Sequence, residues 1–302
     1  MNDQDNKISI FKLILLIILC ILSILGSVKY MKHKYNKDNK PNNVIKINKQ
    51  EEEPKEPDKD DELSIRTNEI SSKYNIDIIY GDKVPTYALF ESRKTKESKA
   101  YTIKDKDVIT KALDIIEESL EIYPNGFFNS LKYNNHKDNL KIYLVGENHL
   151  SKGVSYYANN FYFITLSLDN EEYIEGLSNT FNHELLHIID FRISYLKQIN
   201  KDILFNEDDY MKYNPKGFTY NSNSYNDNTS KYFISPYGAE SAPEDRATIF
   251  GTYMDYYLHN KEGLKELLNE HIIAKLDYIS LYIRDALSTE EWPSKTAWEE
   301  IR

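Results

Sequence analysis

Hydrophobic residues are distributed very unevenly along this chain. Ile8 to Val28 form a 21-residue stretch with one charge, Lys12. As a helix it would span about 30 Å, the thickness of a bilayer's apolar core. It has no polar face, so it predicts a single-pass transmembrane helix (8–28) rather than a core helix, with residues 1–7 as a short tail. A cleaved signal peptide is the rival reading. A cut near Gly26 and Ser27 would need a small residue where Leu25 or Ile24 stands, and Leu19 stands where a lipoprotein would need a small residue before Cys20. After Val28 the apolar pattern dissolves. Residues 29–62 are densely charged and contain Pro41, Pro54 and Pro57, the composition of a solvated flexible tether.

From residue 63 to 302 the pattern becomes that of one folded domain. Residues 64–74 have helical character, and Ile76 to Tyr80 read as a strand stopped by Gly81. Ile109, Leu113, Ile116 and Leu120 recur at helical spacing between Val108 and Ile122, before Pro124, Asn125 and Gly126. Leu140–Val145 and Phe161–Leu168 read as strands. Helical signals then dominate, at about 171–198, 241–259 and 262–287, while 206–236 reads as a long polar loop. Strands first and helices later predict an α+β class.

Charge narrows the set of partners. The chain carries 38 Lys+Arg against 48 Asp+Glu, a formal net charge of −10. Residues 1–62 hold eleven lysines and eleven acids, so the whole acidic excess lies in the body. Phosphate contacts need clustered Lys and Arg, which excludes nucleic acid as the main partner. Cys20 is the one cysteine, so no disulfide framework or thiolate metal site can form in the body.

The chemistry concentrates at residues 183–187, His-Glu-Leu-Leu-His, within the predicted helix. Positions i and i+4 lie about 40° apart around a helix, so both imidazoles can face one ion. Neutral imidazoles suit zinc. Glu184, beside the first histidine, can take a proton from a water on the metal and pass it to a leaving amine. A catalytic zinc also needs a third protein ligand. Glu240, Glu244, Asp245, Asp255, His259 and His271 are the downstream candidates. A carboxylate on the later helix is favoured: Glu244 stands in its first turn with Ala247 and Gly251 leaving room for close packing. Glu240 and Asp245 compete, Asp245 also as a group that caps the helix or orients a ligand.

HELLHIID followed by FISPYGAESAPEDRATIF resembles the gluzincin metallopeptidases of the anthrax lethal-factor-like and Pro-Pro endopeptidase-like type. The resemblance implies a zincin-like domain: a small mixed sheet, the HExxH helix and C-terminal helices. It implies one Zn2+ held by His183, His187 and Glu244, with Glu184 as general base and acid. Tyr237, seven residues before Glu244, would stabilise the oxyanion, and Asp190 would orient a ligand imidazole. Upstream, Gly153 and Val154 resemble the start of the edge strand on which such enzymes hold an extended substrate. Substrate choice does not carry over, because no loop reproduces the specificity elements of either type.

The expectation is therefore a membrane-anchored zinc endopeptidase acting on protein or peptide. The alternatives are a zinc-stabilised surface binding domain without catalysis, and a zinc amidase acting on cell-wall peptides. Lys29, Lys32, Lys34, Lys37 and Lys40 follow the span, which read literally keeps the body inside. Long domains are translocated regardless of such charges, and a surface peptidase would face outward. The body is expected outside the cytoplasm, with secretion after cleavage as the alternative.

Overall fold

A computed structural model describes residues 59–89, 101–133, 136–146, 151–158, 160–221 and 223–300. These lie in the unit Pro57–Arg302. The Ile8–Val28 run and most of the tether fall outside the described residues. Among the described residues, no helix is long and apolar enough to cross a membrane.

Four strands form one mixed sheet in the order β1-β2-β4-β3: β1 (Ile76–Tyr80), β2 (Leu140–Val145), β3 (Gly153–Ala158) and β4 (Phe161–Ser167). β1, β2 and β4 are parallel, with Ile76 opposite Leu140 and Lys141 opposite Phe163. Parallel neighbours need a crossover of a dozen or more residues. Between β1 and β2, α2 (Lys106–Glu121) lies in that crossover, its start capped by Asp105, which accepts from the Asp107 and Val108 amides. The Ile109, Leu113, Ile116 and Leu120 stripe is buried, as its spacing predicts. β3 and β4 are antiparallel, with Gly153 opposite Leu166 and Tyr157 opposite Tyr162. β3 is therefore an edge strand among the described residues.

The sheet's two faces differ. Ile142, Leu144, Tyr162, Ile164 and Leu166 join the main core with the helices, whereas Tyr143, Val145, Phe161 and Phe163 pack beneath Val84 and Ala88. Helices α1 (Lys59–Tyr74), α3 (Leu177–Ile199), α4 (Ala242–His259) and α5 (Glu270–Leu287) complete the α+β fold. α1 begins at Lys59, so residues 59–62, assigned above to the tether, form its first turn. The predicted helix 171–198 is two helices, Glu171–Glu175 and α3, divided at Gly176. The predicted helix 262–287 is likewise divided, into Lys261–Leu267 and α5, because the Asn269 side chain caps a new start by accepting from the His271 and Ile272 amides. The predicted loop 206–236 contains a short helix, Glu207–Met211, capped by Asn206. Buried Trp298 packs against Tyr123, Phe127 and Phe250 and fastens the tail to the core.

Candidate metal centre

α3 is 23 residues long and buries Leu177, Phe181, Leu185, Ile188 and Ile189. Its other exposures leave His183 and His187 one turn apart, both half-buried and turned toward α4. α4 begins at Ala242 behind Ser241, whose side chain accepts from the Glu244 amide at 3.3 Å. Glu244 thus sits in the first turn, at the end of α4 that approaches the histidine pair.

Three donor atoms converge. His183 Nε2 lies 3.1 Å from Glu244 Oε2 and 3.2 Å from His187 Nε2, and His187 Nε2 lies 3.4 Å from the same oxygen. Donors about 2.0–2.1 Å from a tetrahedral ion are about 3.3 Å apart, so this near-equilateral triangle is one face of such a tetrahedron. Two imidazoles and a carboxylate are also the donor types zinc prefers. The residues present fit a zinc ion. Among the described residues, no other cluster of His, Cys, Asp and Glu could hold a metal.

Electrostatics reinforce the triangle. Burial works against the Glu244 charge, yet the two imidazoles bonded to it hold its carboxyl well below the usual carboxylate range. Burial also works against a charged His187, but Glu244, Glu184 and Asp190 outweigh it and raise its pKa.

The two helices meet closely because Gly251 has no side chain. A β-carbon there would lie 2.8 Å from the Asn179 carbonyl oxygen and 2.9 Å from the His183 amide nitrogen. Both are backbone atoms of α3, so relief requires the helices to separate. Gly251→Ala is expected to cost about 1–3 kcal/mol of stability. It should also weaken zinc binding about tenfold or more, read by metal titration, because Glu244 moves away from the imidazoles with α4. Undiminished affinity would show that the contact does not set the triangle.

Glu184 points from α3 toward the sheet edge and is 8% exposed. Its carboxylate has no hydrogen bond or ion pair to a described residue. Gly153 of β3 lies against it: a β-carbon there would come 2.9 Å from Glu184 Cγ and 2.7 Å from Thr180 Cγ2. Glycine at this position lets the edge strand pass the acid. Val154, next along β3, belongs to the opposite face by strand alternation. Tyr237, on a short 3-10 turn (Pro236–Ala239), lies beside the His183 ring with centroids 6.0 Å apart and planes inclined by 29°. Burial and the Glu244 charge raise its pKa, so the phenol stays protonated.

The remaining candidates go elsewhere. Asp190 makes no hydrogen bond to either imidazole; it accepts from Arg246 Nε at 2.8 Å and from the Tyr282 hydroxyl at 2.8 Å. Arg246 is 2% exposed and demands that partner. Asp245 does not cap α4, since Ser241 does. It is fully buried and accepts from Lys275 Nζ at 2.6 Å and from the Tyr220 hydroxyl at 2.7 Å. Lys275 also donates to the Tyr232 carbonyl at 2.7 Å and lies 4.0 Å from the Phe233 ring centre. The roles of Arg246 and Lys275 are not legible in the sequence. A buried charge leaves no local trace in a sequence until its distant partner is known. Glu240, Asp255, His259 and His271 lie outside the triangle.

No family model matches the chain, and no curated protein matches it. Among solved structures it is similar to a Bacteroides caccae protein assigned as a zinc-binding metallo-peptidase. The identity is 20%, the match covers 76% of this chain and 87% of that one, and the TM-score is 0.47.

Proposed function

We propose that this chain is a zinc-dependent endopeptidase. The observation that carries the reading is the triangle of His183, His187 and Glu244 donors, with the Glu184 carboxylate, unpartnered among the described residues, turned to the sheet edge. Zinc held there would make water acidic and polarise a carbonyl. Glu184 takes a proton from the attacking water as its oxygen bonds to the peptide carbon. The protonated Tyr237 hydroxyl donates to the oxygen that becomes negative. Glu184 then delivers its proton to the departing nitrogen, and the C–N bond breaks. The edge of β3, open among the described residues, offers backbone groups to an extended substrate, with Gly153 allowing its approach to Glu184.

Two measurements test this reading. The purified chain is expected to contain zinc and to cleave members of a mixed peptide library, and a chelator should abolish cleavage that added zinc restores. The chelated chain should also melt at a lower temperature, since an ion that binds only the folded state stabilises it by mass action. Metal-free protein, or cleavage indifferent to chelation, sinks the reading.

The proposal includes a membrane anchor at residues 8–28 and a body displayed outside the cytoplasm. Protease added to intact cells is expected to degrade the body. Complete protection would place it inside.

A further inference from the structure

We infer that an aromatic wall formed by Tyr133, Tyr157 and Phe191 is a substrate subsite, which takes a large apolar side chain three to four residues from the cleaved bond. This inference rests on the peptidase reading and adds a substrate class to it. Gly153, Ser155 and Tyr157 share the face of β3 that meets α3. Along α3, Thr180, Glu184 and Phe191 share the facing stripe. The strand and the helix therefore run together from the proposed base to the aromatic rings. Tyr157 lies four residues beyond Gly153, about 13 Å along the strand. Phe191 lies seven residues beyond Glu184, about 10 Å along the helix. Either length corresponds to three or four residues of an extended peptide on the β3 edge.

The rings form a partly exposed aromatic surface. The Tyr157 ring stacks on Tyr133, centroids 5.5 Å apart with planes inclined by 20°, and on Tyr156, 5.2 Å apart and inclined by 3°. It meets Phe191 edge-on at 6.2 Å. Behind them, buried Tyr162 stacks on Phe191 at 6.4 Å and meets Tyr133 edge-on at 5.2 Å. That floor fixes the outer rings. Even so, Tyr157 remains 44% exposed and Phe191 38% exposed. Large apolar rings left partly exposed on the strand and helix that carry the proposed base gain most from a guest that covers them. Antiparallel pairing, the commoner arrangement, puts the guest on the N-terminal side of the cleaved bond.

The test uses the full chain and a decapeptide of alanine and glycine in which one phenylalanine is moved through every position. Cleavage is measured for the parent chain and for Tyr157→Ala, Phe191→Ala and Tyr157→Phe. Binding of the uncut peptides is measured on Glu184→Gln forms of the same proteins. The ratio of kcat/KM with phenylalanine to kcat/KM without it should peak three or four residues before the cut. That ratio should fall about tenfold in both alanine variants and persist in Tyr157→Phe. Cleavage with no positional preference, or a preference unchanged in both alanine variants, overturns the subsite and leaves the peptidase reading intact. Binding that depends on phenylalanine position and on Tyr157, without any cleavage, keeps the subsite and overturns hydrolysis. Neither binding nor cleavage overturns both.

Discussion

Glu184→Gln is expected to lower peptide cleavage by about 10²- to 10⁴-fold while the zinc content stays at that of the parent chain. The amide has nearly the shape of the carboxylate but cannot accept the water proton. Glu184 makes no hydrogen bond or ion pair to a described residue, so the exchange breaks no such bond among them. It is not one of the three convergent donors either. Activity should therefore fall without loss of metal or of thermal stability. Glu244→Ala behaves differently in kind, because it removes a corner of the triangle and the metal with it. If Glu184→Gln protein cleaves at the parent rate, Glu184 is not the base. If it loses zinc, Glu184 belongs to the coordination and the assignment of the three ligands fails.

Lys275→Met is expected to cost about 3–5 kcal/mol, because it leaves the Asp245 carboxylate buried without its cation. Both side chains are wholly shielded from solvent. Methionine fills much of the lysine volume, so little of the loss comes from a cavity. Urea denaturation at neutral pH measures the cost, and the double variant Lys275→Met with Asp245→Asn should recover most of it. The cost also varies with pH. Burial already raises the Asp245 pKa, and Lys275 is the chief influence opposing that rise. In the variant the folded-state pKa climbs further above the unfolded value. The unfolded chain then ionises first, so the penalty is small in acid and grows as pH increases through the unfolded value toward the folded one. A penalty that shrinks with rising pH would mean that the carboxylate finds another cation.

How much could be read beforehand depended on distance along the chain. The two imidazoles were legible because one helical turn joins them, and a period of 3.6 puts both on one face whatever surrounds the helix. The strands β1, β2 and β4 were legible as short runs rich in apolar residues, Leu140–Val145 by its alternation and β4 by the continuous hydrophobicity of a strand buried on both faces. Glu244 is 61 residues from His183 and was favoured over Glu240 and Asp245 for its small neighbours, a choice the gluzincin resemblance then sharpened. Its selection has a physical basis that spacing alone could not supply, namely the absence of a side chain at Gly251. The breaks at Gly176 and Asn269 were missed because apolar spacing continues across them, while the caps that divide the helices rest on single residues. Asp190 was given an imidazole as its partner by the gluzincin resemblance. Its actual partner, Arg246, is 56 residues away.

Residues 244, 245 and 246 are consecutive, yet they engage three separate parts of the molecule: the imidazoles of α3, Lys275 of α5, and Asp190 deeper along α3. Neighbouring positions on a helix diverge by about 100°, so the three contacts fix the rotation of α4 about its own axis. Losing or gaining one residue between Ser241 and Glu244 would turn all three side chains away from their partners together. Length changes are thus forbidden in that first turn of α4, whereas the exposed stretch around Asn223 to Asn228 can lengthen without disturbing it.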